Sequence, residues 1–413
     1  MATPSVFCDT PTVPLSARSR LLAAFRKDPQ PDRVFLAGSE HQREDGHALV
    51  PPLIWKIKQQ ISTDPTLHAD FAPALGLPEF TRRATELALG RECRAVVENR
   101  VLGIQTVGCT GAVRLGAQLL RCWYNRSTGW RGPVYIPSPF YDSLTAVFQA
   151  AGLPDVRQYR CWEAGQWAAS EGHVLEDLRA APEQAVVVLC ATAYCPVATD
   201  LSQKHWKHLA HVLERRKLFP FFLMLGQGLC LGDPEQDAWP LRHCVSLGLE
   251  LFCAQSFSHS FGLYGERVGH LLLVLKQNTL LLALQSQAES AVRSLWSRPA
   301  TLGARVVATV LSNPANLAEW REGVRSAAER CVLIRERLRE KLRLLGAPGS
   351  WDHLTQQGGL YCCTGLSAEQ VAFLAKSRHV YLLPGGALNV TAINSCNMDY
   401  VAESIHLALT SPL

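Results

Sequence analysis

The sequence predicts an α/β fold, with a large domain on a mainly parallel sheet flanked by helices and a smaller α+β domain beside it. Three observations carry this. Between about residues 100 and 275, short apolar runs alternate with amphipathic segments. Val186–Leu189, Phe219–Leu225, Leu251–Ser256 and His270–Leu275 are continuously apolar rather than alternating, the pattern of strands covered on both faces by helices. Next, the stretch from Glu322 to Leu345 predicts one long helix. Val324, Ala328, Cys331, Ile334, Leu338, Leu342 and Leu345 recur three or four apart on one face, and Gly346 stands at the C-terminal cap position. After this helix, Val380–Leu383 and Leu388–Thr391 read as short strands of the smaller unit. The expected division is a large domain at 50–320 and a small domain made from 1–49 together with 321–413, the two joined through the long helix.

The composition excludes several function classes. Hydrophobic residues make up 47% of the 413 and charged residues 19%, the profile of a globular protein able to bury a sizeable core. A net charge of +5 is spread along the chain without a dense basic block, so no nucleic-acid partner is expected. The most apolar stretches, Leu218–Leu225 and Leu271–Leu275, are far shorter than the ~20 residues of a membrane-spanning helix. Residues 1–14 lack a charged and then apolar leader, so a cytoplasmic protein is expected. Fourteen cysteines are scattered with no C-x-x-C pair and no histidine at ligand spacing, which reads as reduced thiols and no metal site.

Three segments go beyond fold class. The first is Phe252-Cys-Ala-Gln-Ser-Phe-Ser-His-Ser-Phe-Gly-Leu-Tyr-Gly-Glu-Arg-Val-Gly269. The second is Thr106-Val-Gly-Cys-Thr-Gly-Ala-Val-Arg-Leu-Gly-Ala117, and the third is Tyr381-Leu-Leu-Pro-Gly-Gly-Ala-Leu-Asn-Val390. In order, they resemble the cofactor-lysine segment, the phosphate-cup turn and the arginine-bearing small-domain strand of the aspartate aminotransferases. Trp206, Asp237-Ala-Trp239, Trp296 and Ser312-Asn-Pro314 keep the same register, and the resemblance runs from about residue 30 to 405. It implies the fold-type-I architecture, pyridoxal 5'-phosphate and a homodimer with active sites at the subunit interface. For working members it implies the reaction of L-aspartate with 2-oxoglutarate to give oxaloacetate and L-glutamate.

Carried over residue by residue, the resemblance leaves a divided site. Thr110, Ser256, Ser258 and Arg267 match the phosphate ligands, and a helix N-terminus with an arginine fork suits a phosphate. The same residues also suit plain packing and capping. Gly108 and Cys109 alter the cup, and Phe71 replaces the tyrosine that reaches the phosphate across the dimer. The ring end is replaced throughout. His259 stands at the Schiff-base lysine position, and an imidazole has no primary amine. Leu223 replaces the aspartate that tunes the pyridine nitrogen, Gly226 the tyrosine on the ring oxygen, and Cys195 the asparagine nearby. Tyr141 takes the place of the stacking tryptophan and Leu144 that of the histidine behind the aspartate. Arg293 matches the arginine that clamps a dicarboxylate's side chain across the dimer, whereas Ala387 replaces the arginine for the α-carboxylate and Ser39 a glycine near the substrate.

Losses in four separate roles (His259, Leu223, Gly226 and Ala387) predict a catalytically degenerate aspartate aminotransferase-like protein that forms no covalent aldimine. None of the nine lysines (27, 56, 58, 204, 207, 217, 276, 341 and 376) is expected to reach the ring. The alternative is a weakly active aminotransferase, lyase or racemase acting on aspartate or glutamate, with His259 as base. A homodimer, a heterodimer with an active aminotransferase, and a dicarboxylic amino or oxo acid are the partners to expect.

Overall fold

The computed structural model describes residues 5–67, 70–138, 144–163, 168–192 and 201–411. The first strand, β1, is Val34–Phe35. A seven-stranded sheet then uses β2 (Val101–Val107), β3 (Val134–Ser138), β4 (Val156–Arg160), β5 (Val186–Cys190), β6 (Phe219–Met224), β7 (Leu251–Ser256) and β8 (Val268–Val274). Their order in the sheet is β2-β8-β7-β6-β5-β3-β4. Every neighbouring pair is parallel except the two made by β8, which runs antiparallel to both β2 and β7. The sheet is thus mainly parallel, as the continuous apolar runs predict. The last run begins at Val268 rather than His270, because Val268 pairs with Val107 and extends the strand.

Helices cover both faces. Alternate residues of the strands enter two cores, one holding Val187, Leu189, Phe222 and Cys253, the other Val186, Val188, Phe221 and Phe252. Five helices bear on the site: α1 (Ala17–Lys27), α2 (Pro52–Thr63), α3 (Gly108–Trp123), α4 (Leu281–Leu295) and α5 (Pro314–Leu344). The buried face of α3 includes Ala112, Leu115, Gly116 and Leu119. A Cβ on Gly116 would sit 2.7 Å from the Phe221 ring, so only glycine lets this helix lie so close to the sheet.

The long helix α5 presents the expected face, with Val324, Ala328, Cys331, Ile334, Leu338 and Leu342 buried. Leu345, assigned to the same face, stands at the C-cap and is 36% exposed. The helix begins eight residues before Glu322. The Asn313 side chain accepts from the N–H groups of Ala315 and Asn316, and Pro314 occupies the first turn, where its missing N–H costs nothing. At the other end Gly346 adopts φ 69°, the left-handed cap that only glycine takes cheaply.

A further core gathers Val34 and Leu36 with Ile334, Leu338, Leu342, Leu388 and Ile405. Its strands are β9 (Tyr361–Cys363), β10 (Val380–Tyr381) and β11 (Ala387–Asn389). β1 pairs parallel with β10, and β9 antiparallel with β11. The strand expected at Leu388–Thr391 ends at Asn389, whose side-chain oxygen accepts from the Thr391 N–H and hydroxyl and turns the chain into a short helix. Likewise the strand expected at Val380–Leu383 stops at Tyr381, ahead of the turn in which the Leu383 N–H donates to Ala387 O. Among the described residues no helix is long and apolar enough to cross a membrane.

Candidate functional site

The site forms where β7 ends and the chain loops back into β8. After Ser256 the backbone makes one helical turn, Ser258–Phe261, closed by Gly262 at φ 66°. The turn is packed from below. The Phe261 ring stacks on Trp320 of α5 at 4.8 Å, and the Trp320 indole N–H donates to Ser260 O at 2.8 Å. A Cβ on Gly262 would meet Leu49 O at 2.9 Å, which shows how closely the segment ahead of α2 crosses it.

Arg267 stands at the mouth of this loop in the left-handed region, φ 52°, unusual for a residue with a side chain. Its carbonyl accepts from the Gly108 N–H at 2.7 Å, tying the loop to the first residue of α3. Gly108 is itself at φ 64°, and a Cβ there would lie 2.7 Å from an Arg267 guanidinium nitrogen. The guanidinium therefore lies directly over the start of α3, whose first turn has no side-chain cap. Free helix-start N–H groups beneath an arginine form an anion cradle. Among the described residues Arg267 makes no ion pair. The Ser256 hydroxyl accepts from the Ser258 N–H at 3.3 Å, while the Ser258 hydroxyl is buried and has no hydrogen-bond partner among the described residues. Thr110 is exposed in the first turn of α3.

A residue that shapes this cradle without touching a ligand is Gly269. A Cβ there would fall 2.3 Å from both the carbonyl carbon and the oxygen of Gly108. That is backbone, which has no rotamer with which to yield. Gly269→Ala is expected to displace Gly108, weakening inorganic phosphate binding by about tenfold or more and lowering stability by about 1–3 kcal/mol. Titration calorimetry and urea unfolding of the variant check the two effects.

His259 lies between the cradle and the smaller core. Its ring is partly covered and meets Tyr264 edge-on at 5.4 Å, and the Tyr264 hydroxyl accepts from the His41 N–H at 2.9 Å. Burial, and then the charges of His41, Arg18 and Arg267, push the His259 imidazolium down to about 3. No lysine is among these groups. Lys58 is instead ion-paired with Glu266, next to Arg267. Sequence reasoning did not point to Arg18, His41 or Tyr361 as neighbours, because nothing in their local spacing signals the contact. Arg18 and His41 arrive from segments more than two hundred residues before His259, and Tyr361, which Arg18 contacts, from beyond α5.

Two buried histidines, His41 and His270, and the partly covered His259 make stability depend on pH. Burial is the main cause of depression at His41 (about 4), His259 (about 3) and His270 (about 3). All three are neutral when folded, whereas in the unfolded chain they take up protons as the pH falls through 6.5. Below that value the unfolded state binds more protons, so stability declines from pH 6.5 towards pH 4. Urea unfolding midpoints at neutral pH and near pH 5 are expected to show this drop. His270→Gln, keeping a hydrogen bond to Gln255, is expected to reduce it.

Other positions singled out in the sequence are dispersed. Arg293 is 68% exposed on α4 and paired with Glu289 at 2.7 Å, and it is not among the charges acting on His259. Phe71 is 83% exposed, with Arg298 over its ring at 5.2 Å. Leu223 is buried in the apolar core with Val186, Val188 and Phe221, and Leu144 belongs to the same core. Ala387 is fully buried opposite Cys363, and the Ser39 N–H donates to the Glu40 carboxylate. Tyr141 and Cys195 lie outside the described residues.

Pyridoxal phosphate therefore fits this site at one end. Arg267, the start of α3, Ser256 and the unpartnered Ser258 hydroxyl suit its phosphate. Leu223 is hydrocarbon within the apolar core, and residue 259 is an imidazole without a primary amine.

The profile of the aminotransferase class I and II family matches residues 34–405. The chicken protein "Aspartate aminotransferase, cytoplasmic" is 42% identical over 406 residues, 98% of each chain. An aromatic-amino-acid aminotransferase from Burkholderia pseudomallei, solved covalently bound to pyridoxal phosphate, superposes with TM-score 0.94 at 28% identity, covering 98% of this chain and 100% of that one. The aspartate aminotransferase of Saccharomyces cerevisiae cytoplasm gives TM-score 0.93 at 26% identity, covering 98% of both. The chain belongs to the class I and II aminotransferase family, among its aspartate-aminotransferase-like members.

Proposed function

We propose that this chain is a catalytically degenerate aspartate aminotransferase-like protein, one that holds pyridoxal phosphate or a similar phosphate ester by its phosphate without a covalent bond. The observation that carries the reading is the setting of residue 259: an imidazole among Arg18, His41 and Arg267, with no lysine acting on it. When bound in working relatives, the cofactor supplies an electron sink for carbanion chemistry. Here Arg267 and the start of α3 grip the phosphate, Ser258 offers a hydroxyl, and the Gly108–Gly269 contact keeps the cradle in shape.

The alternative, a weak transferase, lyase or racemase using His259 as base, is disfavoured by the same surroundings. A base held near 3 is neutral at working pH but takes a proton poorly, far from the matched value that efficient proton transfer needs. For assembly we propose a homodimer. Exposed Phe71, Leu280 and Leu282 support it, as does Arg293, which would serve a neighbouring subunit's site rather than its own. Pairing with an active aminotransferase is the variant in which that arginine still meets a dicarboxylate. A cytoplasmic location follows the chicken relative's name. The division at 50–320, with 1–49 and 321–413 forming the second unit, is supported by the separate core around α5.

An absorbance titration with pyridoxal phosphate, followed by borohydride reduction and peptide mapping, tests the proposal. Saturable binding without a specific adduct is expected. An adduct on one defined lysine would overturn it.

A further inference from the structure

We propose that Arg18, carried on α1, forms with Tyr361 a binding site for a small carboxylate anion next to His259. This rests on the reading of the site as a ligand pocket. One Arg18 guanidinium nitrogen donates to the Tyr361 hydroxyl at 2.8 Å, and that hydroxyl donates onward to Gly38 O at 3.3 Å. The Arg18 Nε is sealed from solvent and, among the described residues, has no hydrogen-bond partner. A buried donor on a charged group left without an acceptor is costly, and native proteins seldom keep one without a reason.

No acid answers this charge. Among the described residues Arg18 makes no ion pair, and the carboxylate of Glu40, which lies beside Gly38, is turned to the Ser39 N–H. His41 Nε2 is a second buried atom with no partner, and His41 and Arg18 both act on His259. Arg18 thus brings its charge beside the imidazole together with the neutral His41 ring, and among the described residues no ion pair meets that charge. The wall behind is uncharged: Tyr361 pairs with Asn389 and Cys363 with the fully buried Ala387 across β9 and β11. Arg18 is the cation of this end, as Arg267 is of the other. A guanidinium edge presents two parallel N–H donors, which a planar carboxylate accepts in register.

The position of Arg18 gives the site a structural readout. No residue of α1 is fully buried. Its C-terminal half is held by Phe25 against Phe35 and Tyr381 at 5.2 and 5.7 Å. At its N-terminal end, Arg18 is the residue joined to Tyr361. A carboxylate bound by Arg18 beside Tyr361 would therefore hold down the first turn of the helix.

The test is calorimetric titration of the full chain with 2-oxoglutarate and, separately, inorganic phosphate, using wild type, Arg18→Ala and Arg18→Gln. Arg18→Ala is expected to weaken 2-oxoglutarate binding about tenfold or more, the loss of one charge-assisted contact, and to change phosphate binding less than about twofold. Arg18→Gln, which keeps the stem and a donor, guards against a folding defect and is expected to show the same selective loss. Hydrogen exchange over residues 17–21 is expected to slow with 2-oxoglutarate in wild type alone. Equal 2-oxoglutarate affinity in all three proteins, no binding by wild type, or parallel loss of phosphate would overturn the assignment. If pyridoxal phosphate fails to bind while 2-oxoglutarate binding still depends on Arg18, the proposed function falls and this site stands.

Discussion

His259→Lys is expected to turn a protein that forms no specific adduct with pyridoxal phosphate into one that is labelled at residue 259 after borohydride reduction. The same surroundings that hold the imidazole near 3 act on an amine placed there. Partial burial and the charges of Arg18 and Arg267 disfavour the ammonium form, leaving a neutral nucleophile at working pH. The substitution adds little volume, and the ring it replaces is only partly covered, so the longer side chain has a way out. Turnover of L-aspartate with 2-oxoglutarate should rise by about 10²-fold over background, the low end of what a general acid–base group contributes. On the proposed reading Leu223 supplies no acid to the ring and Ala387 no cation, so the gain is expected to stop there. Adding Leu223→Asp should raise it further. Peptide mapping and a coupled assay of the variant decide the matter: no label at residue 259 would mean that the cofactor does not enter this site.

Asp237→Ala is expected to destabilise the fold by about 3–5 kcal/mol, the largest loss predicted for a residue outside the apolar cores. Asp237 is 2% exposed, and its carboxylate accepts from the N–H groups of Gly228, Cys230 and Leu231 at 2.7, 3.2 and 3.1 Å. Removing it strands three backbone donors at once, each worth about 1–3 kcal/mol when left unsatisfied, partly recovered by entry of water. The segment it holds follows β6 and is packed against α5, where a Cβ on Gly228 would already touch Val324 at 3.0 Å. Loosening it should also disturb the floor beneath His259. Asp237→Asn keeps acceptor capacity on one oxygen and is expected to lose roughly half as much. Urea unfolding of both variants measures the difference, and a cost below 1 kcal/mol for Asp237→Ala would contradict the argument.

The fold was legible where pattern and burial coincide. Strands β5 to β8 are buried on both faces, so their runs are continuously apolar and a mainly parallel, helix-covered sheet can be read from residues alone. Helix α5 was legible through its one apolar face, although its start was not, because Asn313 and Pro314 act by capping and carry no periodicity. The reversed direction of β8 left no mark on composition. A buried antiparallel strand needs the same residues as a parallel one. Short strands such as β1, two residues long, offer too little sequence to show a period.

For the site, the sequence by itself determined which side chains exist: an imidazole at 259, hydrocarbon at 223 and 387, an arginine at 267 and an alanine-poor, glycine-bearing turn around Gly108. Only the tertiary structure decided what surrounds them. Arg18 and His41 reach His259 from distant segments of the chain, and it is the exclusion of water first, and then these neighbours with Arg267, that set its proton affinity. Proximity of this kind depends on how whole elements pack. A chain encodes it in the sum of its core contacts, with no local motif to mark the residues that meet.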